Sequence, residues 1–514
     1  MNHRAWLAAL VLLLPAAPAA AQLERLTVPR GTIRVDIGAE FRDYETIWVN
    51  GTLSEEYGSP ALGSDRIPTL APADSLLALI LNQPGARLSL GSLTARRLVT
   101  VGTLGLGAAY GITDRLSIFG RVPIVRARSQ VSLALAPGTA NAGWNPDDPT
   151  FGGGSLNLSF LADLSSALAV LQSKISNGDY SGAQLILAQT TLANGTTLRD
   201  RYRAFTIDAG TESPFLPLAG SAEGQALTGI VDGLRNTLTG LSVTSFTSGP
   251  ALPTDTLTAS DLRNFLINPS GPIASLAPSD THLFLMGDIE LGATFGWLDR
   301  WDRPGHEGGI RSSVSALVRL PTATLARPEN LFGVGTGDKQ TDVEVTVTTD
   351  LGRGRLGARL AGTYTRQLPA TFSERVASPA APFAPAGDIR SIRRDPGDIL
   401  RLSVQPYFRV NPSFAFTGAI DHWRRGADGV TYASAGDSIP GVPASVLADG
   451  TAADATTLRG GIVFSNTGKP REGSRHLPVE ASWSYEGVVA SSKGRVPNAR
   501  VMRAGLRVYV GAPW

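Results

Sequence analysis

The sequence predicts an all-β protein: an antiparallel transmembrane β-barrel of about twelve strands with one helical loop insertion. Three observations carry that reading. Twelve segments alternate apolar and polar residues with period two. Across those segments the apolar parity holds no Asp, Glu, Lys or Arg, whereas the opposite parity is rich in them. Short and long connections alternate between the segments, as barrels with tight turns at one end and long loops at the other require.

In chain order, residues 1–21 read as a signal peptide. Arg4 supplies the positive region, Ala5 to Leu14 the apolar region and Ala19-Ala20-Ala21 the small-residue cleavage site, so the mature chain is expected to start at Gln22 and form the barrel over 22–514. Beyond the signal no apolar run approaches the ~18 residues of a spanning helix, which excludes a helical membrane protein. Cysteine is absent, so disulfides, thiol chemistry and cysteine metal sites are excluded. A formal charge of +2 gives no support for nucleic acid as a partner.

The first strand places Ile33, Val35, Ile37, Ala39 and Phe41 on one face and Arg34, Asp36, Gly38 and Glu40 on the other. Further cores follow at 104–110, 116–124, 283–295, 310–320, 343–349, 356–364, 400–408, 414–420, 458–464, 479–485 and 502–510. Each lies near the ~9–11 residues of a tilted membrane strand. An arginine facing lipid at mid-depth costs roughly 2–4 kcal/mol, so the charged parity is assigned to the lumen: Arg34, Asp36, Glu40, Arg121, Asp288, Glu290, Arg311, Arg319, Glu344, Arg359, Arg401, Arg459, Glu480, Arg503 and Arg507. A soluble β-sandwich shows similar alternation. The even strand count, the alternating connections and aromatic residues gathered at strand ends favour the membrane. Tyr110, Phe295, Phe408, Phe414, Phe464 and Trp514 form the expected lower girdle, with Phe41, Tyr364 and Tyr485 near the upper one.

Tight turns at Gly111 to Arg115, Leu351 to Arg355 and Val410 to Ser413 are expected at the periplasmic end, where both termini then lie. Long connections fall at about 42–86, 129–281, 322–341, 366–398 and 422–456. Residues 129–281 form a domain-sized insertion in which Leu161, Leu164, Leu168, Leu171 and Ile175, then Leu227, Ile230, Leu234, Leu238 and Leu241, keep helical spacing. These predict two amphipathic helices in an extracellular lid or a plug. Pro123 and Pro321 read as bulges where strands leave the membrane, Pro406 as a lost ladder hydrogen bond, and 86–103 as a longer or broken second strand.

Catalytic chemistry is weakly represented. No G-x-S-x-G elbow exists, and Asp421-His422, the one suggestive pair among His282, His306, His422 and His476, sends its side chains to opposite faces. Asp147-Asp148 reads as an acidic loop turn before a calcium site, and Gly152-Gly153-Gly154 as a hinge. No metal, cofactor or enzymatic activity is expected. The inward arginines and acids are expected to form cross-strand ion pairs, lining a narrow passage for small solutes, since twelve strands lie between filled and open barrels.

The segment Tyr110-Gly-Ile-Thr-Asp-Arg-Leu116, followed by Gly120 and Val122-Pro123, resembles a "YGxTDRL…G…VP" hairpin of outer-membrane transporters named for their association with the meta-cleavage pathway of phenol degradation. The resemblance implies an outer-membrane barrel that moves small, often apolar molecules. The closing alternation from Met502 to Val510, ending on Trp514, resembles the final strand of outer-membrane barrels. That resemblance implies insertion by the barrel-assembly machinery, with outer-membrane lipid around the wall. The expected function is a passive outer-membrane channel for small solutes. The alternative is a surface-interaction or structural barrel whose insertion binds an extracellular partner. As first and last strands must pair, Arg503 and Arg507 are expected within reach of Asp36 or Glu40.

Overall fold

Ten of the twelve predicted strand cores fall within single strands of the computed structural model, 283–295 is split at 287–289 and 310–320 overruns its strand by one residue. The structure describes residues 26–57, 61–136, 138–276, 283–301, 308–467 and 477–511. The wall strands are β1 (Ile33–Tyr44), β2 (Leu93–Gly111), β3 (Leu116–Leu135), β4 (Glu290–Trp301), β5 (Gly308–Arg319) and β6 (Asp342–Arg353). They continue as β7 (Leu356–Gln367), β8 (Ile399–Asn411), β9 (Phe414–Arg425), β10 (Ala453–Ser465), β11 (Val479–Ala490) and β12 (Arg500–Val510). Each pairs antiparallel with its sequence neighbours, and β1 pairs with β12, so the twelve strands close into an up-and-down barrel without a free edge. The closing register sets Asp36 opposite Arg507 and Glu40 opposite Arg503, as the terminal strand predicts.

The outward faces of all twelve strands are predominantly apolar and stay open to the surroundings: Val347 is 47% exposed, Val404 49% and Ile420 53%. A continuous belt of this kind far exceeds the few hundred Å² that soluble monomers leave uncovered. It requires lipid on the outside of the wall. The alternation selected this register because shifting a strand by one residue would turn its arginines to that lipid.

Two of the three predicted prolines act differently from expectation. Arg121 pairs with Glu290, and Ile124 with Met286 in a short run (Leu283–Met286) ahead of β4. Three residues, 287–289, therefore face two, 122 and 123, and the bulge sits on the strand opposite Pro123 rather than on its own. Pro321 lies beyond the end of β5 and makes no bulge. Pro406 interrupts the ladder to β9 between Val404–Ile420 and Tyr407–Thr417 without changing register, because a ring nitrogen has no proton to donate.

β2 and β3 continue past the wall. β1 ends at Tyr44 opposite Val99, yet β2 and β3 stay paired to Leu93 and Leu135, so the insertion begins after Leu135 and not at 129. The imperfect alternation of 86–103 has a physical cause: Leu93 and Ala95 are buried in the helical core, and Val99 is buried as well and not turned to lipid.

That helical layer, the cap, contains α1 (Ala71–Leu81), α2 (Leu156–Ser176), α3 (Gly182–Thr206), α4 (Ala222–Gly240) and α5 (Ala259–Ile267). The two predicted helices are α2 and α4. α2 is the one described helix long and apolar enough to cross a membrane, but Phe160, Leu161, Leu164 and Leu168 bury that face in the cap core. A Cβ on Gly195 of α3 would lie 2.6 Å from Leu168 Cδ2, so the missing side chain lets the two helices approach. Asp147, of the acidic pair, accepts hydrogen bonds from the Leu156 and Asn157 amides at the start of α2, and Asp148 accepts from Thr150 and Phe151. Both carboxylates thus cap backbone donors.

The cap packs on the extended ends of β2 and β3, through Leu93, Ala95, Val131 and Leu133, and on other connections at the same end of the barrel. Tyr57, Phe332 and Phe383, from three separate loops, cluster with ring centroids 5.7 and 6.2 Å apart. Arg375 donates to the carbonyls of Ile273 (2.9 Å) and Ala384 (2.6 Å). Arg97 reaches Glu56 (2.9 Å) and the carbonyl of Gly333 (3.0 Å). The long connections therefore fuse into one roof, while the opposite end carries tight turns. An unpredicted hairpin, Thr46–Val49 with Thr52–Glu55, turns at Asn50-Gly51, both at positive φ (47° and 87°) as such two-residue turns require.

Candidate functional site in the barrel lumen

The inward parity folds into four ion-pair clusters that run around the wall from strand to strand. Near the roof on one side, Arg319 of β5 contacts Glu290 of β4 (2.9 Å), Asp342 (3.2 Å) and Glu344 (3.0 Å) of β6, and Arg121 of β3 contacts Glu290 (3.3 Å). On the other side Arg503 of β12 joins Glu40 of β1 (2.9 Å) to Glu486 of β11, and Arg459 of β10 reaches Asp421 of β9 (3.3 Å). Toward the turns, Arg34 and Arg507 flank Asp36 (2.9 and 3.2 Å), and Arg507 lies 3.6 Å from Glu480, which accepts from Tyr509 (2.9 Å). The fourth cluster is the most enclosed: Asp350 lies between Arg311 (2.8 Å) and Arg359 (2.5 Å), all three being 5% exposed or less. Arg359 is also close enough to interact electrostatically with Glu480, four strands away across the lumen.

Thirteen of the fifteen predicted lumen residues join these clusters. Asp288 does not line a strand: it sits in the bulge, where Oδ1 accepts from the Ala323 amide and holds the β5–β6 connection. Burial pushes its carboxyl up, with the nearby Asp338 and Asp342 charges adding to the shift against the Ala323 amide. Arg401 keeps the inward parity but is exposed near the roof, with no ion pair among the described residues. Four acids were missed: Asp342, Asp350, Asp421 and Glu486. Each lies one residue past a predicted core. All four continue the inward parity, so extending the alternation by a residue finds them.

The turn end of the lumen is filled from two sides. Residues 26–32 lie against the inner face of β2 and β3, where Thr27 donates to the Asp114 carbonyl (2.9 Å) and Gly31 to that of Gly111 (2.8 Å). A Cβ on Gly111 would meet the Pro29 carbonyl at 2.0 Å, so this contact demands glycine. Across the barrel, Trp301 stacks on the Arg311 guanidinium (4.5 Å), and Tyr407 lies over Gly357. Trp301 reaches the lumen because of a register shift opposite Ser312/Ser313 that reverses the facing of the end of β4.

Between these fillings and the roof the interior is hollow. One cavity of about 170 Å³ lies among Arg34, Arg121, Arg319, Phe119 and Leu317, and a second of about 60 Å³ among Arg459, Glu480, Arg503 and Trp483. Asp36 and Arg507 line both.

On the outside, Tyr110, Phe295, Phe408 and Phe414 are exposed within a few residues of the turns, and the Phe464 ring packs tilted against Phe414 with centroids 5.2 Å apart. Trp514 lies outside the described residues, as do His282, His306, His476 and the signal segment. Asp421 points inward to Arg459, whereas His422 points outward, its Nδ1 3.0 Å from Thr456 Oγ1.

No known family profile and no curated protein matches this sequence. Among solved structures, an outer membrane channel from Pseudomonas putida F1 aligns over 96% of this chain and 99% of its own, with 11% identity and a TM-score of 0.39. The transport unit of the autotransporter AIDA-I from Escherichia coli aligns over 95% and 93%, with 7% identity and a TM-score of 0.31. A FadL homologue from Pseudomonas aeruginosa aligns over 94% and 90%, with 8% identity and a TM-score of 0.29. The twelve-strand ring rests on this chain's own ladder.

Proposed function

We propose that the protein is a passive outer-membrane channel for small solutes, with a narrow, charged lumen and no catalytic role. The observation that carries this reading is a closed wall, apolar outside, around an interior that is hollow and lined by ion-paired arginines and acids. A barrel that served only as an anchor would gain by filling that space, since unfilled volume forfeits dispersion contacts. Lipid of the outer membrane covers the belt between the two sets of aromatic residues, the barrel-assembly machinery receives the closing strand, and the cap faces the cell exterior.

Purified, heat-modifiable protein is expected to give discrete conductance steps in planar bilayers and to admit a small solute into liposomes. Folded protein with neither property would sink the reading. A second reading, a surface-interaction barrel, draws on the fusion of long connections into one roof. Deleting 138–276 separates the two: the channel leaks more, whereas an interaction protein loses its partner with permeability unchanged.

A further inference from the structure

The larger lumen cavity has the composition of a ligand site and not only of a water-filled gap. Two kinds of surface meet there. Leu26 and Val28 of the N-terminal segment, with Phe119 and Leu317 of the wall, make an apolar side. Opposite them stand four guanidinium groups and three carboxylates. Glycine opens the space: a Cβ on Gly292 would meet Phe119 Cζ at 2.5 Å, and one on Gly105 would meet Arg121 Nε at 2.7 Å, so the ring and the guanidinium both lie flat on the wall.

The carboxylates are already neutralised. Asp36 is held by Arg34 and Arg507, Glu290 by Arg121 and Arg319, and Glu344 by Arg319. Arg319 is spent on three acids. The donors left over are Arg121 Nε, which is enclosed and makes no hydrogen bond among the described residues, and Arg507 Nη1, which is enclosed and has the long 3.6 Å ion pair to Glu480 but no hydrogen bond among the described residues. Enclosed charged donors without acceptors are costly, and a carboxylate is the acceptor that suits a guanidinium best. A volume of about 170 Å³ is close to the roughly 150 Å³ of an engineered cavity that takes one benzene.

We propose that this cavity binds small monocarboxylates whose apolar body is about the size of one benzene ring, and that it selects the channel's substrates. The carboxylate accepts from Arg121 and Arg507 while the body lies against Val28, Phe119 and Leu317. The selecting role rests on the channel reading above; the binding does not.

The test therefore measures binding and flux separately. Titration calorimetry on the folded protein in detergent uses benzoate, benzylamine and acetate, and proteoliposome uptake uses the same three. Benzoate is expected to bind at least tenfold more tightly than the other two, and Arg121→Gln to weaken it at least tenfold. Val28→Trp fills the cavity from the N-terminal segment and replaces no strand residue and no ion-paired side chain, and is expected to abolish benzoate binding even if Arg121→Gln misfolds. Equal binding of benzylamine, or benzoate binding unchanged in Val28→Trp, overturns the proposal. Binding without flux keeps the site and removes the channel; flux of all three solutes with no benzoate binding keeps the channel and removes the site.

Discussion

Val404 in the wall and Val231 in the cap are the same residue in regular structure, yet Val404 is 49% exposed and Val231 is 1% exposed. The wall turns its valines outward, where lipid satisfies them, and keeps charge inside. The cap does the reverse, burying Val231 with Leu164, Leu227 and Phe265 in a core and leaving its polar faces open. In the wall one rule governs every strand, since each inner face meets the lumen and each outer face meets lipid. The cap has no shared solvent boundary of that kind, and each helix is placed by its particular neighbours.

The largest expected effect lies in the wall. Asp350→Ala leaves Arg311 and Arg359 buried without their shared carboxylate, and losing one partner of a buried pair costs about 3–5 kcal/mol, read as a lowered denaturation midpoint of the detergent-folded barrel. A loss below 1 kcal/mol would mean that water reaches this cluster freely. Next, Val404→Arg should cost roughly 2–4 kcal/mol near mid-depth, while the same charge at exposed Leu187 of the cap stays within about 0.5 kcal/mol. Equal effects at the two sites would erase the contrast.

Within the cap, Gly195→Leu should destabilise by about 1–3 kcal/mol through overpacking against Leu168, visible as faster proteolysis of α2 and α3 with the barrel still heat-modifiable. The smallest effect is one of pH. Burial of Asp163 works to raise its pKa, but the Ser248 hydroxyl and the Ser248 and Thr247 amides outweigh it and hold the carboxyl below its ordinary value. A depressed folded pKa contributes stability that is full above the unfolded value and lost as pH falls through the folded one. Hydrogen-exchange protection of residues 243–250, relative to the intrinsic rate at each pH, should therefore fall as the medium is acidified below about pH 3.9, and Asp163→Asn should remove that dependence.

The wall strands were legible because alternation is local and lipid enforces it on each strand separately. The pairing of Arg503 with Glu40 and of Arg507 with Asp36 followed from closure alone. Asp350 and Glu486 were within reach of the same rule and were lost to strand cores cut one residue short. α3 was not legible: Gly182-Ala-Gln-Leu-Ile-Leu-Ala-Gln-Thr-Thr-Leu-Ala-Asn-Gly195 has no clean apolar stripe, because part of its buried face is glycine and threonine fitted to α2. Asn50-Gly51 did carry its hairpin in the open. Asp288 misled, since parity was continued through a bulge that only the opposing Pro123 ladder reveals.

The sequence by itself determined the strand number, the register and which face of each strand meets lipid, because those follow from period-two alternation and the cost of charge in hydrocarbon. Tertiary structure alone decided what else fills the lumen beside the inward charges. Trp301 enters through a register shift, residues 26–32 fold back against Gly111, and Phe119 and Arg121 lie flat where Gly292 and Gly105 leave room. Those contacts join residues far apart in the chain, and each depends on space that a neighbouring strand leaves open.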